Sequence, residues 1–172
     1  MTTIAYRDGV LAADSQVTAE SAAGGSRKHT CIKLFRKMVT VKRKTFDVII
    51  ATAGETSPGL VFIEWYGSGK PIPDVFLHIG GDFTCLVLTP KGLFEYDVYC
   101  QPEEIVLSPY PFYAVGSGTK AAMGAMHCGK SAIEAVRIAC KVDPFSSGRI
   151  VSMKLEHPPA REKKREQKPK AK

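Results

Sequence analysis

Residues 46–53 read FDVIIATA, a nearly continuous apolar and β-branched run that stops at Gly54. A short run of this kind, closed by a glycine, reads as a buried strand rather than a helix. The segments before it carry the same character. Residues 2–7 and 10–14 read as two short strands joined by Asp8-Gly9. Asp-Gly between strand-like runs is a strong hairpin signal, because both central positions of a type I′ turn need positive φ. Residues 30–35 and 38–41 read as strand, followed by a basic turn at Lys42-Arg43-Lys44, with a Gly-rich loop at 21–26 before them.

Beyond Gly54, Ser57-Pro58 predicts a short helix with Ser57 as N-cap, ending soon after Tyr66 at the Gly and Pro residues of 67–73. Residues 83–88 and 93–98 predict a second hairpin around Pro90-Lys91-Gly92. Residues 112–115 predict a strand running into Gly116-Ser117-Gly118. Two helices follow, over 119–128 and 131–141, the second opened by a capping box of Ser131 and Glu134. Asp143-Pro144 stops it, and 150–155 alternates as a last strand. Strand runs set apart from helix runs predict an α+β protein with largely antiparallel sheets.

The chain has 172 residues and a formal net charge of +7. That length suits one domain, expected over 1–156. The charge is uneven. Residues 157–172 carry +5 and the other 156 residues only +2. The basic character thus belongs to a polar tail that lacks the apolar content to fold. A basic folded face for nucleic acid is not what this pattern describes. No apolar run approaches the roughly 20 residues of a membrane span, and no signal-peptide pattern opens the chain, so a cytoplasmic protein is expected. The five cysteines are odd in number and form no CxxC pair, which fits free thiols in a reducing compartment. The four histidines show no metal-ligand spacing, so neither metal nor cofactor is expected.

The chemistry lies at the front of the chain. Removal of Met1 would make Thr2 the N-terminus. An N-terminal threonine joins a hydroxyl nucleophile to its own base, the α-amine. Its unperturbed pKa of roughly 7.7–8.0 needs only a modest downward shift for work at neutral pH. Met-Thr alone carries no weight, and candidate partners give it some. Asp14 closes an apolar strand. Lys33 lies inside Cys31-Ile32-Lys33-Leu34-Phe35, where an unpaired ammonium would be costly to bury. Gly54 ends a buried strand, where a backbone N–H can meet a carbonyl oxygen. Ser117 sits between two glycines, and Asp143 and Ser146 share one turn.

In this order the motifs resemble those of proteasome-type N-terminal nucleophile hydrolases, the threonine peptidases that include HslV and the small bacterial proteasome homologues. The opening residues 2–15, Ala53-Gly54, Gly116-Ser117-Gly118 and Asp143-Pro144-Phe145-Ser146-Ser147-Gly148 carry the likeness, over about residues 2–155. The resemblance implies a four-layer αββα sandwich. It implies Thr2 as nucleophile, Lys33 held by Asp14 to lower the pKa at Thr2, and the Gly54 N–H as oxyanion donor. Ser117, Asp143 and Ser146 would support the Thr2 amine. A largely uncharged pocket of Val17, Cys31, Phe35, Thr52 and Thr56 would favour apolar side chains.

It further implies a homo-oligomeric ring or double ring, a polypeptide substrate and an ATP-dependent unfoldase as partner. Residues 57–81 depart from the family, being shorter and richer in Gly and Pro than its usual helix pair. Two other readings are carried alongside: a non-catalytic scaffold subunit, and an N-terminal nucleophile amidase for small molecules.

Overall fold

The computed structural model of the chain describes residues 2–20, 26–74, 76 and 83–156. Met1, the core of the expected loop at 21–26 and the tail 157–172 lie outside the described residues, as does most of 75–82.

In chain order the described strands are β1 (Thr3–Arg7), β2 (Val10–Ala13), β3 (Gln16–Glu20), β4 (Ser26–Thr30), β5 (Leu34–Val41) and β6 (Lys44–Gly54). Helix α1 (Thr56–Trp65) follows, then β7 (Phe83–Leu88), β8 (Leu93–Tyr96), β9 (Pro102–Glu104) and β10 (Phe112–Gly116). Helices α2 (Thr119–His127) and α3 (Ala132–Val142) precede the last strand, β11 (Val151–Lys154). One sheet has the order β10-β1-β2-β11, another β5-β6-β7-β8-β9, and β3 pairs with β4. Every described ladder is antiparallel.

The period-2 alternation of the strands decides what packs where. Ile4, Tyr6, Leu11 and Ala13 of the first large sheet share one buried cluster with Leu34, Ile49, Ala51, Leu86 and Leu88 of the second. The intervening residues point the other way. Ala5, Ala12 and Ala114 pack against Ala122, Met126, Ala135 and Val136 of α2 and α3. Small side chains on both partners let these helices approach closely. On the far face of the second sheet, Val48, Ile50 and Val87 cluster with Phe62 of α1. The Phe62 ring is fully buried, 5.1 Å from the Tyr96 ring and 5.8 Å from Phe83, within the range of favourable tilted ring pairs. FDVIIATA thus forms the middle of β6, covered on both faces.

The first hairpin turns at Asp8 and Gly9 with φ of 51° and 81°. The basic turn does the same at Lys42 and Arg43, φ 48° and 66°. The capping box is present at α3: Glu134 N–H donates to Ser131 Oγ at 3.3 Å, and Ser131 N–H to Glu134 Oε2 at 3.0 Å. Other boundaries need correcting. Helix α1 has Glu55, not Ser57, as N-cap. Pro58 is then the third helical residue, still in the first turn, where backbone N–H groups have no intrahelical acceptor. The strand expected over 30–35 is split, because Cys31 N–H donates to Ser15 O at 2.9 Å and takes Cys31–Lys33 out of the ladder. The second hairpin ends at Tyr96 rather than 98.

Lys37 of β5 ties α1 down. Its ammonium donates to the carbonyls of Ile63 at 2.6 Å, Tyr66 at 2.7 Å and Glu64 at 3.1 Å. A cation on these otherwise orphaned C-terminal carbonyls fixes the helix against the sheet edge.

Candidate functional site

Thr2 stands at the head of β1 and is buried. Its position follows from register: Thr3 pairs with Gly116 of β10, and Ile4 with Ala13 of β2. Gly116 has φ +95°, and a Cβ there would fall 1.9 Å from the Thr2 carbonyl oxygen. Only glycine lets β10 close on the start of β1 at that distance.

Asp14 follows β2 directly and is enclosed. Oδ1 accepts from Thr3 N–H at 2.9 Å and from Lys33 Nζ at 2.9 Å. Oδ2 accepts from Gln16 N–H at 3.0 Å and Ser147 N–H at 3.1 Å. The Lys33 ammonium also donates to Gln16 O at 2.6 Å. The two side chains are 2% and 0% exposed, so this charge pair is withdrawn from water and held by hydrogen bonds from four parts of the chain. Burial of an ion pair is a poor device for stability alone. It is an effective way to hold a fixed positive charge next to a reacting group.

A second network gathers on Asp143, the residue that closes α3. Its Oδ2 accepts from Ser117 Oγ at 2.6 Å and Ser146 Oγ at 2.6 Å, and Oδ1 from Phe145 N–H at 3.2 Å. Partial burial pushes this carboxyl up, but the two hydroxyls and the amide outweigh it, holding Asp143 below the usual carboxylate range. The Ser146 proton goes to Asp143, so Thr3 Oγ1 donates to Ser146 Oγ, 2.6 Å away. Ser117 Oγ also lies 3.4 Å from the Thr2 carbonyl oxygen. The described contacts of this network therefore reach Thr2 through its carbonyl and the neighbouring Thr3 hydroxyl.

The two networks are joined. Gln16, buried beside Asp14, accepts from Ser147 Oγ, and its Nε2 donates to Thr18 Oγ1 at 3.0 Å and Pro144 O at 3.4 Å. The turn of residues 143–147 is thus bound to the β2–β3 junction by backbone and side chain alike.

Thr2, Lys33 and Gly54 line one cavity that is open to solvent. Gly54 ends β6 with φ +91°, a left-handed conformation suited to glycine. Val17, Cys31, Phe35, Thr52 and Thr56 line the same cavity. Ile32, Glu55 and Leu60 line it too, and the sequence reading did not include them. Burial raises the Cys31 thiol, and nearby Lys33 opposes that effect, so Cys31 is neutral at pH 7. Thr3, Gln16 and Ser147 were also missed. Their contacts to the 143–147 turn and Asp14 span 128 to 143 residues of the chain, a range the sequence does not reveal.

Among the described residues, no group of three or more His, Cys, Asp or Glu side chains is placed to hold a metal ion. No helix among them is long and apolar enough to cross a membrane.

No protein-family model matches the chain, and no curated protein matches it. Solved structures do. A bacterial proteasome homologue from Thiobacillus denitrificans, in complex with epoxomicin, matches 90% of this chain and 98% of its own at TM-score 0.56 and 20% identity. A second structure of the same homologue matches at TM-score 0.53 and 21% identity, over 90% of this chain and 97% of its own. Eukaryotic HslV from Trypanosoma brucei matches at TM-score 0.59 and 17% identity, over 91% and 99%. The fold is a proteasome-type fold.

Proposed function

We propose that on this fold residues 1–156 form a threonine-type endopeptidase domain, with the helices and two large sheets arranged as an αββα sandwich. The observation that carries the reading is the single cavity lined by Thr2, Lys33 and Gly54, with Lys33 pinned 2.9 Å from Asp14.

The reaction starts with removal of Met1. The Thr2 Oγ attacks the scissile carbonyl while its proton passes to the α-amine. The carbonyl oxygen gains negative charge and is met by the Gly54 N–H. The fixed Lys33 charge favours loss of the hydroxyl proton. The α-amine then gives its proton to the leaving amine, and an ester on Thr2 remains. Water attacks that ester, with the same amine as base, and frees the hydroxyl. Ser117, Asp143, Ser146 and Thr3 hold the Thr2 backbone in place rather than exchanging protons with substrate.

We infer further that the active form is a homo-oligomeric ring in the cytoplasm, fed with unfolded polypeptide by an ATP-dependent unfoldase. Exposed apolar side chains beside the Asp143 turn, Val142 at 66% and Phe145 at 38%, supply surface that such an assembly would cover. The test is to separate purified full-length protein by size and assay each fraction on denatured casein. Activity is expected in the high-mass fraction and absent from the same fraction of Thr2→Ala. Equal activity in both proteins would overturn the reading.

A further inference from the structure

We propose that the cavity beside Thr2 selects peptides carrying Lys or Arg immediately before the scissile bond, and that Glu55 is the specificity-determining carboxylate. This rests on the peptidase reading above and names its substrate class.

The cavity lining holds two charged side chains, Lys33 and Glu55. They are not equivalent. The Lys33 charge is matched by Asp14 at 2.9 Å. The Glu55 side chain makes no hydrogen bond or ion pair among the described residues. Glu55 is the N-cap of α1, yet its side chain does not cap the helix. Apart from the Thr2 amine and the Lys33–Asp14 pair that serve the chemistry, the charge an entering side chain meets on the wall is the Glu55 carboxylate, on an exposed residue.

The walls suit the rest of such a side chain. Leu60 is 50% exposed and Ile32 65%, large apolar groups left open to the cavity mouth. Phe35 adds an aromatic surface. A lysine or arginine lays its methylene stem on apolar walls and keeps its cationic head at a wet edge. A leucine fits the walls but leaves Glu55 unpaired, and an acidic side chain is repelled by it. The residue whose carbonyl is attacked by Thr2 places its own side chain in the space that Thr2 borders, which fixes the position as the one before the cleaved bond.

The experiment uses oligomeric full-length protein and three fluorogenic peptides that differ only in that residue: Lys, Leu or Glu. The expected kcat/KM order is Lys above Leu above Glu, with Lys favoured over Leu roughly fivefold to tenfold, as for a partly solvated charge pair. In Glu55→Gln the Lys/Leu ratio falls to about one, and in wild type it shrinks as salt is raised. In Glu55→Lys the order of the Lys and Glu peptides reverses. Cleavage with Leu preferred, or a Lys/Leu ratio unmoved in Glu55→Gln, overturns the specificity alone. No cleavage of any peptide, together with no adduct from a peptide epoxyketone, overturns the peptidase reading and the specificity with it.

Discussion

Lys33 and Asp14, 19 residues apart in sequence, meet at 2.9 Å inside the protein with almost no exposed side-chain surface. The two partners are not equally supported. Asp14 also accepts three backbone N–H groups, from Thr3, Gln16 and Ser147. Lys33 has one further acceptor in the described structure, Gln16 O.

Removing each partner should therefore cost different amounts. Asp14→Ala strands a buried ammonium and should lower stability by about 4 kcal/mol. Lys33→Met leaves a carboxylate that keeps its amide donors, and the loss should be about 2 kcal/mol. Both should abolish turnover. Urea denaturation of the two variants gives the order, and the reverse order would contradict this picture of the pair.

Asp143 sets an acid limit. Its carboxyl is held below the ordinary value in the fold, so its contribution is full above the unfolded pKa of about 3.9. It is lost as pH falls through that value to the lower folded one. Asp143→Asn should be less stable than wild type at pH 7, and the gap should narrow as pH falls below about 3.9. Denaturation midpoints across that range check the sign. A gap that widens on acidification would contradict it.

Gly116→Ala should be severe. The new methyl would fall 1.9 Å from the Thr2 carbonyl oxygen at a backbone φ of +95°. Backbone strain alone is worth about 1–3 kcal/mol, and the clash must also push β1 away from β10. Both the melting temperature and turnover should drop. A variant that melts with wild type would show that the β1–β10 register differs from Thr3 opposite Gly116.

What the sequence revealed and what it hid follow from range. The β1–β2 hairpin was legible because Asp8-Gly9 dictates a turn locally. Helix α3 was legible because Ser131 and Glu134 are three residues apart. The pairing of β3 with β4 was not, because QVTAE alternates over only two apolar residues, Val17 and Ala19, and SRKHT has none to match them. Strand β9 was not either, since its three residues are exposed and begin with Pro102. Within the candidate site, the sequence drew attention to side chains that are chemically out of place, such as a lysine in an apolar run. Thr3 and Gln16 look ordinary in sequence; what distinguishes them is their contacts to Asp14 and, at long range, to Ser146, Ser147 and Pro144. Glu55 escaped notice because a glutamate before a helix is common.

The most direct test of Thr2 as an N-terminal nucleophile is an intact mass of the purified oligomer after incubation with a peptide epoxyketone. That group forms its stable adduct only where a free α-amine and a hydroxyl share one residue. The expected result is a chain without Met1 carrying one adduct, with none on Thr2→Ala. A chain that keeps Met1 and takes up no reagent would contradict the assignment.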